Sequence, residues 1–159
     1  MDERYPNWIQ KYLINNRLIW EKGLKNTFQE FEKKFTLHDS YWVELHYNVA
    51  HDDTAILVID WDIVWLPSYV KQQLNSDISL VLLLIKLYQV KQISTSGYHH
   101  WKEPFPIQRG ISDYEIQIID HQHLLIVSDF YGGCVEIIFS GFASFLAVTQ
   151  EQLILDLIN

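Results

Sequence analysis

Two consecutive stretches of this chain alternate apolar and polar residues with a period of two. This pattern constrains the fold more than any other feature. In Tyr41–Val49, the residues Tyr41, Val43, Leu45, Tyr47 and Val49 share one face, and Trp42, Glu44, His46 and Asn48 share the other. In Thr54–Trp65, the apolar face is Ala55, Leu57, Ile59, Trp61, Ile63 and Trp65, opposite Thr54, Ile56, Val58, Asp60, Asp62 and Val64. His51-Asp52-Asp53 is a polar turn between them, so the two stretches read as a β-hairpin. Pro67 ends the second strand, because proline cannot donate to a ladder.

Downstream the strand rhythm persists. Ile78–Ser94 is rich in Leu, Val and Ile and reads as a central strand, or as two strands with a bend. Tyr69–Asn75 reads as a short helix or turn. Tyr114, Ile116 and Ile118 point inward from a strand over 113–120. A strand over 123–130 follows a His121-Gln122 turn. Tyr131-Gly132-Gly133 turns the chain into a strand over 134–140, which places Val135, Ile137 and Phe139 on one face. Phe142–Val148 is a last strand. A helix is expected over 150–158, with Thr149 as its N-cap.

The period before Phe35 is different. Pro6 suits a first helical turn, and Trp8, Ile9, Tyr12 and Leu13 recur at helical spacing. Leu24, Phe28, Phe31 and Phe35 continue at spacings of four, three and four, with Lys22, Lys25, Glu30, Glu32 and Lys33 opposite. Residues 6–35 are therefore predicted to be helical. The fold class that follows is α+β: N-terminal helices packed on one face of a mostly antiparallel sheet of six to eight strands. A length of 159 residues fits one domain, 1–159, with 1–36 helical and 37–159 mainly β.

Charge narrows the function. The formal net charge is −8. Residues 1–36 hold seven basic and five acidic residues, while the remainder holds five basic and fifteen acidic. Phe35–Val70 and Gly110–Asn159 contain no Lys or Arg. Such a body repels phosphate backbones and anionic lipid, so neither nucleic acid nor membrane is an expected partner. A basic protein fits, since complementary fields speed and orient encounter. One cysteine, Cys134, excludes an internal disulfide. Met1–Pro6 has no apolar signal region and no apolar run is long enough to span a bilayer, so a cytoplasmic protein is expected.

No motif specifies a reaction. His121 and His123 have the i, i+2 spacing that brings two imidazoles to one strand face, but no Glu or further His follows closely as a metal site needs. His38-Asp39 and His51-Asp52 spell the His-Asp pair of metal phosphohydrolases, yet both lie beside predicted strands rather than on helices. Asp39-Ser40 reads more simply as an Asx-type turn. Cys134 lacks a nearby base. The loop Thr95–Ser112 carries His99, His100 and Trp101. No cofactor or metal is called for. Asp60 and Asp62 share a strand face, and an outward Trp42 among acids has the character of an interface anchor with a polar rim.

The segment Leu37-His38-Asp39-Ser40, placed directly before an alternating strand and a hairpin, resembles small bacterial immunity proteins of toxin–immunity systems. The resemblance implies a small acidic cytoplasmic protein that blocks a basic toxin domain, often a nuclease. It carries over no contact residue.

The expected function is thus a non-catalytic protein-binding protein, an immunity-type inhibitor that meets a basic partner through Trp42, Glu44, Asp52, Asp53, Asp60 and Asp62. The alternative is a small α+β enzyme or ligand-binding domain with a pocket between helices and sheet, using His99, His100, Asp60 and Cys134. A third reading is a subunit of a homo-oligomer or larger complex.

Overall fold

A computed structural model describes residues 10, 13, 15, 17–48, 53–62, 64, 66, 68–72, 80–96, 109–130, 132–148 and 153–154. Its strands are β1 (Leu24–Thr27), β2 (Tyr41–Asn48), β3 (Thr54–Asp62), β4 (Leu80–Leu87), β5 (Gln92–Ser96), β6 (Arg109–Ile119), β7 (Gln122–Asp129), β8 (Cys134–Phe139), β9 (Phe142–Val148) and β10 (Leu153–Ile154). All pairings are antiparallel, and the order is β1-β9-β4-β3-β2-β6-β7-β8-β5, with β10 also on β9. Among the described residues the helical elements are a 3-10 turn, Trp20–Lys22, and two short helices, α1 (Phe28–Glu32) and α2 (Ser68–Lys71).

The sheet bends back on itself. β4 pairs with β9 as far as Leu87↔Ala143, and β5 pairs with β8 from Gln92↔Ile138. Between them Ser140 N–H donates to Tyr88 O (2.9 Å) and Lys91 N–H to Ile138 O (2.8 Å), so hydrogen bonding continues around the corner. β4–β5 and β8–β9 are therefore two long strands that pass together from one half of the sheet to the other, as strands do at the corners of orthogonally packed sheets. On the far side β2 meets β6 at Tyr41↔Gly110 and Trp42↔Arg109. Taken with β3–β4, β2–β3, β6–β7 and β7–β8, the pairing forms a closed, barrel-like circuit.

One core fills the interior. It draws Leu57, Ile59 and Trp61 from β3, Leu83 and Ile85 from β4, Phe145 from β9, and Leu125, Val127 and Ile137 from β7 and β8. Phe28 and Phe31 of α1 reach into it, with Phe31 stacked on Phe145 at 4.2 Å between centroids. Trp61 is fully buried, and its indole N–H donates to Thr36 O (2.6 Å). Burying that N–H is tolerable because it has this partner.

A second cluster explains why β3, β4 and β9 are apolar on both faces. Their outward residues Ile56, Val58, Leu84, Leu146 and Val148 are covered by Leu18, with Leu13, Trp20 and Leu82 packed around. Gly23 lets the N-terminal segment approach this closely: a Cβ there would stand 2.2 Å from Phe145 O.

Four expectations are corrected. Among the described residues the sheet has ten strands rather than six to eight, and no long helix covers it: residues 24–27 are strand and α1 spans five residues. The Leu24, Phe28, Phe31, Phe35 spacing is apolar because β1 aims Leu24, α1 aims Phe28 and Phe31, and the following loop aims Phe35 at the same core. Residues 1–9 lie outside the described residues. Leu153–Ile154, expected in a terminal helix, pair as a strand with Val148 and Ala147. The expected 95–112 loop is shorter at both ends, since Ser96 closes β5 and Arg109 opens β6. The hairpin, the bend within 78–94 and the strands between 110 and 148 agree with the expected rhythm, except that Ile118, expected inward, is 67% exposed. Among the described residues, no helix is long and apolar enough to cross a membrane.

Candidate functional site

β2 and β3 form the hairpin that carries most of the candidate residues, and its register decides which of them meet. Tyr41 faces Asp60, Trp42 faces Ile59, Glu44 faces Val58 and His46 faces Ile56. The ladder slips between Trp42 and Glu44, a β-bulge that leaves Val43 as the extra residue. One inserted residue flips the side-chain alternation. Upstream of the bulge Trp42 falls on the core side; downstream Glu44 and His46 fall on the outer side, and Leu45 on the core side.

This corrects the expected face. Trp42 does not stand outward beside Glu44. It is half-buried and packs against the core, and its indole N–H is buried with no hydrogen-bond partner among the described residues. Val43, expected inward, is 43% exposed.

The structure does bring Glu44, Asp60 and Asp62 to one outer surface, with Tyr41 and His46. Glu44 is exposed and pairs with His46 Nε2 when that ring is protonated. Asp62 accepts the backbone N–H of Val64 through Oδ1 (2.9 Å), and its own N–H donates to Ser40 Oγ (3.4 Å). Asp60 is half-buried between Tyr41 and Leu82, and this burial pushes its carboxyl above the ordinary range by penalising the charged form. Among the described residues, neither Asp60 nor Asp62 has a lysine or arginine within ion-pair distance.

Asp53 lies at the start of β3, exposed and with a left-handed φ of 49°, and its carbonyl accepts from Val90 N–H (2.8 Å). Asp52, His51, His99, His100 and Trp101 lie outside the described residues.

No family model, no curated protein and no solved structure matches this chain.

Among the described residues, the enzyme candidates Asp60 and Cys134 do not converge. Asp60 points outward from β3, while Cys134, half-buried, points outward from β8 in the other half of the sheet. Ser128 Oγ donates to its sulfur at 4.0 Å, and a hydroxyl is too weak a base to activate a thiol. His121 sits in the β6–β7 turn with φ 65°, whereas His123 lies in β7 opposite Phe139, with its ring 6.0 Å from that ring. Among the described residues, no three His, Cys, Asp or Glu side chains gather as metal ligands would. A hollow of about 230 Å³ is lined by Asn15, Arg17, Leu18, Ile19 and Glu21, none of them one of these candidates.

The segment Leu37–Ser40 has a packing role. Leu37 and Ser40 are fully buried, Asp39 takes a φ of 62°, and Thr36 Oγ1 accepts the His38 N–H. These residues turn the chain from α1 into β2.

Proposed function

We propose that this chain is a non-catalytic protein-binding protein that receives a basic partner on the outer surface of β2 and β3. The observation that carries the reading is the register that sets Glu44, Asp60 and Asp62 on one surface, where among the described residues no lysine or arginine pairs with Asp60 or Asp62. Three carboxylates gathered on a sheet make a local negative potential, which steers cationic partners and fixes their orientation. Asp53 extends that potential along β3. Trp42 supports the surface from beneath rather than anchoring the partner.

The resemblance to immunity proteins narrows this to an inhibitor that occludes a basic toxin site. The Leu37–Ser40 segment behind that resemblance is accounted for by packing, so the inhibitor reading stands on charge and surface geometry.

The test is a paired capture with immobilised wild-type protein and the Asp60→Lys, Asp62→Lys double variant. A basic protein retained by the wild type, released by salt and lost by the double variant, is the expected result. Purified, that protein should associate with the variant more slowly and with a flatter salt dependence. Equal retention by both forms would remove the β2–β3 surface from the reading. Inhibition of the captured protein's activity at equimolar ratio would establish the inhibitor form.

A further inference from the structure

The two halves of the sheet present very different outer faces. On β3, β4 and β9 the outward apolar residues are covered by Leu18 and its neighbours. On β6, β7 and β8 the outward apolar residues Leu124, Ile126 and Ile138 remain half-exposed and belong to neither apolar cluster. Their sequence neighbours Leu125, Val127 and Ile137 point into the core, so the outward direction is settled by alternation.

The register arranges this face in rows. Glu115, Ile126, Glu136 and Ser94 form one row across β6, β7, β8 and β5. Gln117, Leu124, Ile138 and Gln92 form the next, and Asp113 stands opposite Ser128 on the other side. An apolar strip therefore runs along β7 and onto β8, with carboxylates on both sides. Strands stand about 4.8 Å apart, so Glu115 and Glu136 flank Ile126 at a separation of about 10 Å. Both are exposed, and Gln117 donates to Glu115 Oε1 (2.8 Å). No Lys or Arg occurs from Gly110 to the end of the chain.

We propose that this face docks a cationic amphipathic helix from a protein partner, lying along β7. The dimensions match: an α-helix is about 10–12 Å across, and an apolar stripe of about 100° would seat on Ile126, Leu124 and Ile138. Lysines or arginines on the two flanks of that stripe then reach Glu115 on one side and Glu136 on the other. A second copy of this chain fits poorly, because the face would set Asp113, Glu115 and Glu136 against their own like charges. A purely polar basic surface would leave the apolar strip unused. The inference concerns a different face from β2–β3 and stands independently of the reading given to that surface.

The probe is an amphipathic Leu/Lys peptide of about 18 residues, five helical turns, titrated into the isotope-labelled full chain while backbone amide shifts are followed. A scrambled peptide of the same composition, with no apolar face, is the control. Shifts concentrated in β6, β7 and β8 are expected. Ile126→Ser and the pair Glu115→Lys, Glu136→Lys should each weaken binding by about tenfold or more. All these positions are at least partly exposed, so the variants should fold, and their amide spectra check it. Equal binding of the scrambled peptide, insensitivity to Ile126→Ser, or shifts centred on β2 and β3 would each overturn the proposal. So would a concentration-dependent mass that Ile126→Ser abolishes, since the face would then belong to a second copy.

Discussion

At the scale of single residues, Asp60 is the most informative position. Its carboxyl lies half out of water, so the folded chain holds the proton more tightly than the unfolded chain does. For an acid with a raised folded pKa, stability is greatest when the group is protonated and falls as pH rises through the carboxylate range. Asp60→Asn should therefore stabilise the protein at neutral pH, by at most about 1 kcal/mol because solvent screens a half-exposed group. The gain should fade below about pH 4, where the wild-type carboxyl also becomes neutral. Urea midpoints at neutral and acid pH check it, and a gain that persists unchanged in acid would contradict the burial argument. Glu32, raised by burial as well, works in the same direction. The pairing of Asp60 with a cationic partner would reverse this preference, which links the residue's cost in the free chain to its use in a complex. That residues 60 and 62 share a surface was legible from their spacing. That Trp42 does not join them was not, because a bulge leaves no mark in an alternating pattern.

At the scale of elements, the N-terminal segment and α1 show how local and distant forces divide. α1 begins at a capping box: Thr27 Oγ1 accepts Glu30 N–H (3.2 Å) and Glu30 Oε2 accepts Thr27 N–H (2.9 Å). The sequence signal was present, Thr followed three residues later by Glu, and it dates the helix start to Phe28. A reading by apolar period alone missed it and extended the helix across β1. β1 is a strand because β9 offers it an edge, with Leu24↔Phe145 through Thr27↔Phe142. Leu18 does comparable work on the outer face, where it lies 3% exposed over Val58, Leu84 and Leu146. Leu18→Ser should remove that cover and destabilise the chain by about 2–4 kcal/mol, in the range of large-to-small core changes. Denaturant unfolding measures the loss, and dye binding to the uncovered face should rise with it. A loss below about 0.5 kcal/mol, the size of an ordinary surface change, would mean that the segment does not hold the face.

At the scale of the whole molecule, the two half-sheets share one core and two continuous bent strands. They should therefore unfold together. Phe31 sits where the contributions meet, near Phe28, Phe35, Trp61 and Phe145. Phe31→Ala should cost about 3–5 kcal/mol and lower a single transition, seen alike by aromatic and backbone circular dichroism. Two separated transitions would show that the halves are independent units. The same closure gives the protein its outer surfaces. Because the core is inside one circuit, charge is left to the outside: an acidic patch on β2–β3, and an apolar strip with acidic flanks on β6–β8.

The sequence by itself determined most of the strands between Tyr41 and Val148, their turns and the sign of the net charge. Alternation is a local consequence of one buried and one wet face, so Ala55, Leu57, Ile59 and Trp61 in β3, and Val135, Ile137 and Phe139 in β8, could be placed inward without a neighbour in view. The turn at Asp120-His121, where both residues take positive φ, lies within one residue of the His121-Gln122 turn expected between two apolar runs. Only the tertiary structure decided what lies on the second face of each strand. β3, β4 and β9 are apolar on both sides because residues far away in the chain cover them. Leu13, Leu18 and Trp20 do this, the last from a 3-10 turn, which no apolar period announces. Closure, the bulge at Val43 and the juxtaposition of Glu115, Ile126 and Glu136 depend on which strands pair and in what register, and pairing between distant strands is a long-range choice that local periodicity does not encode.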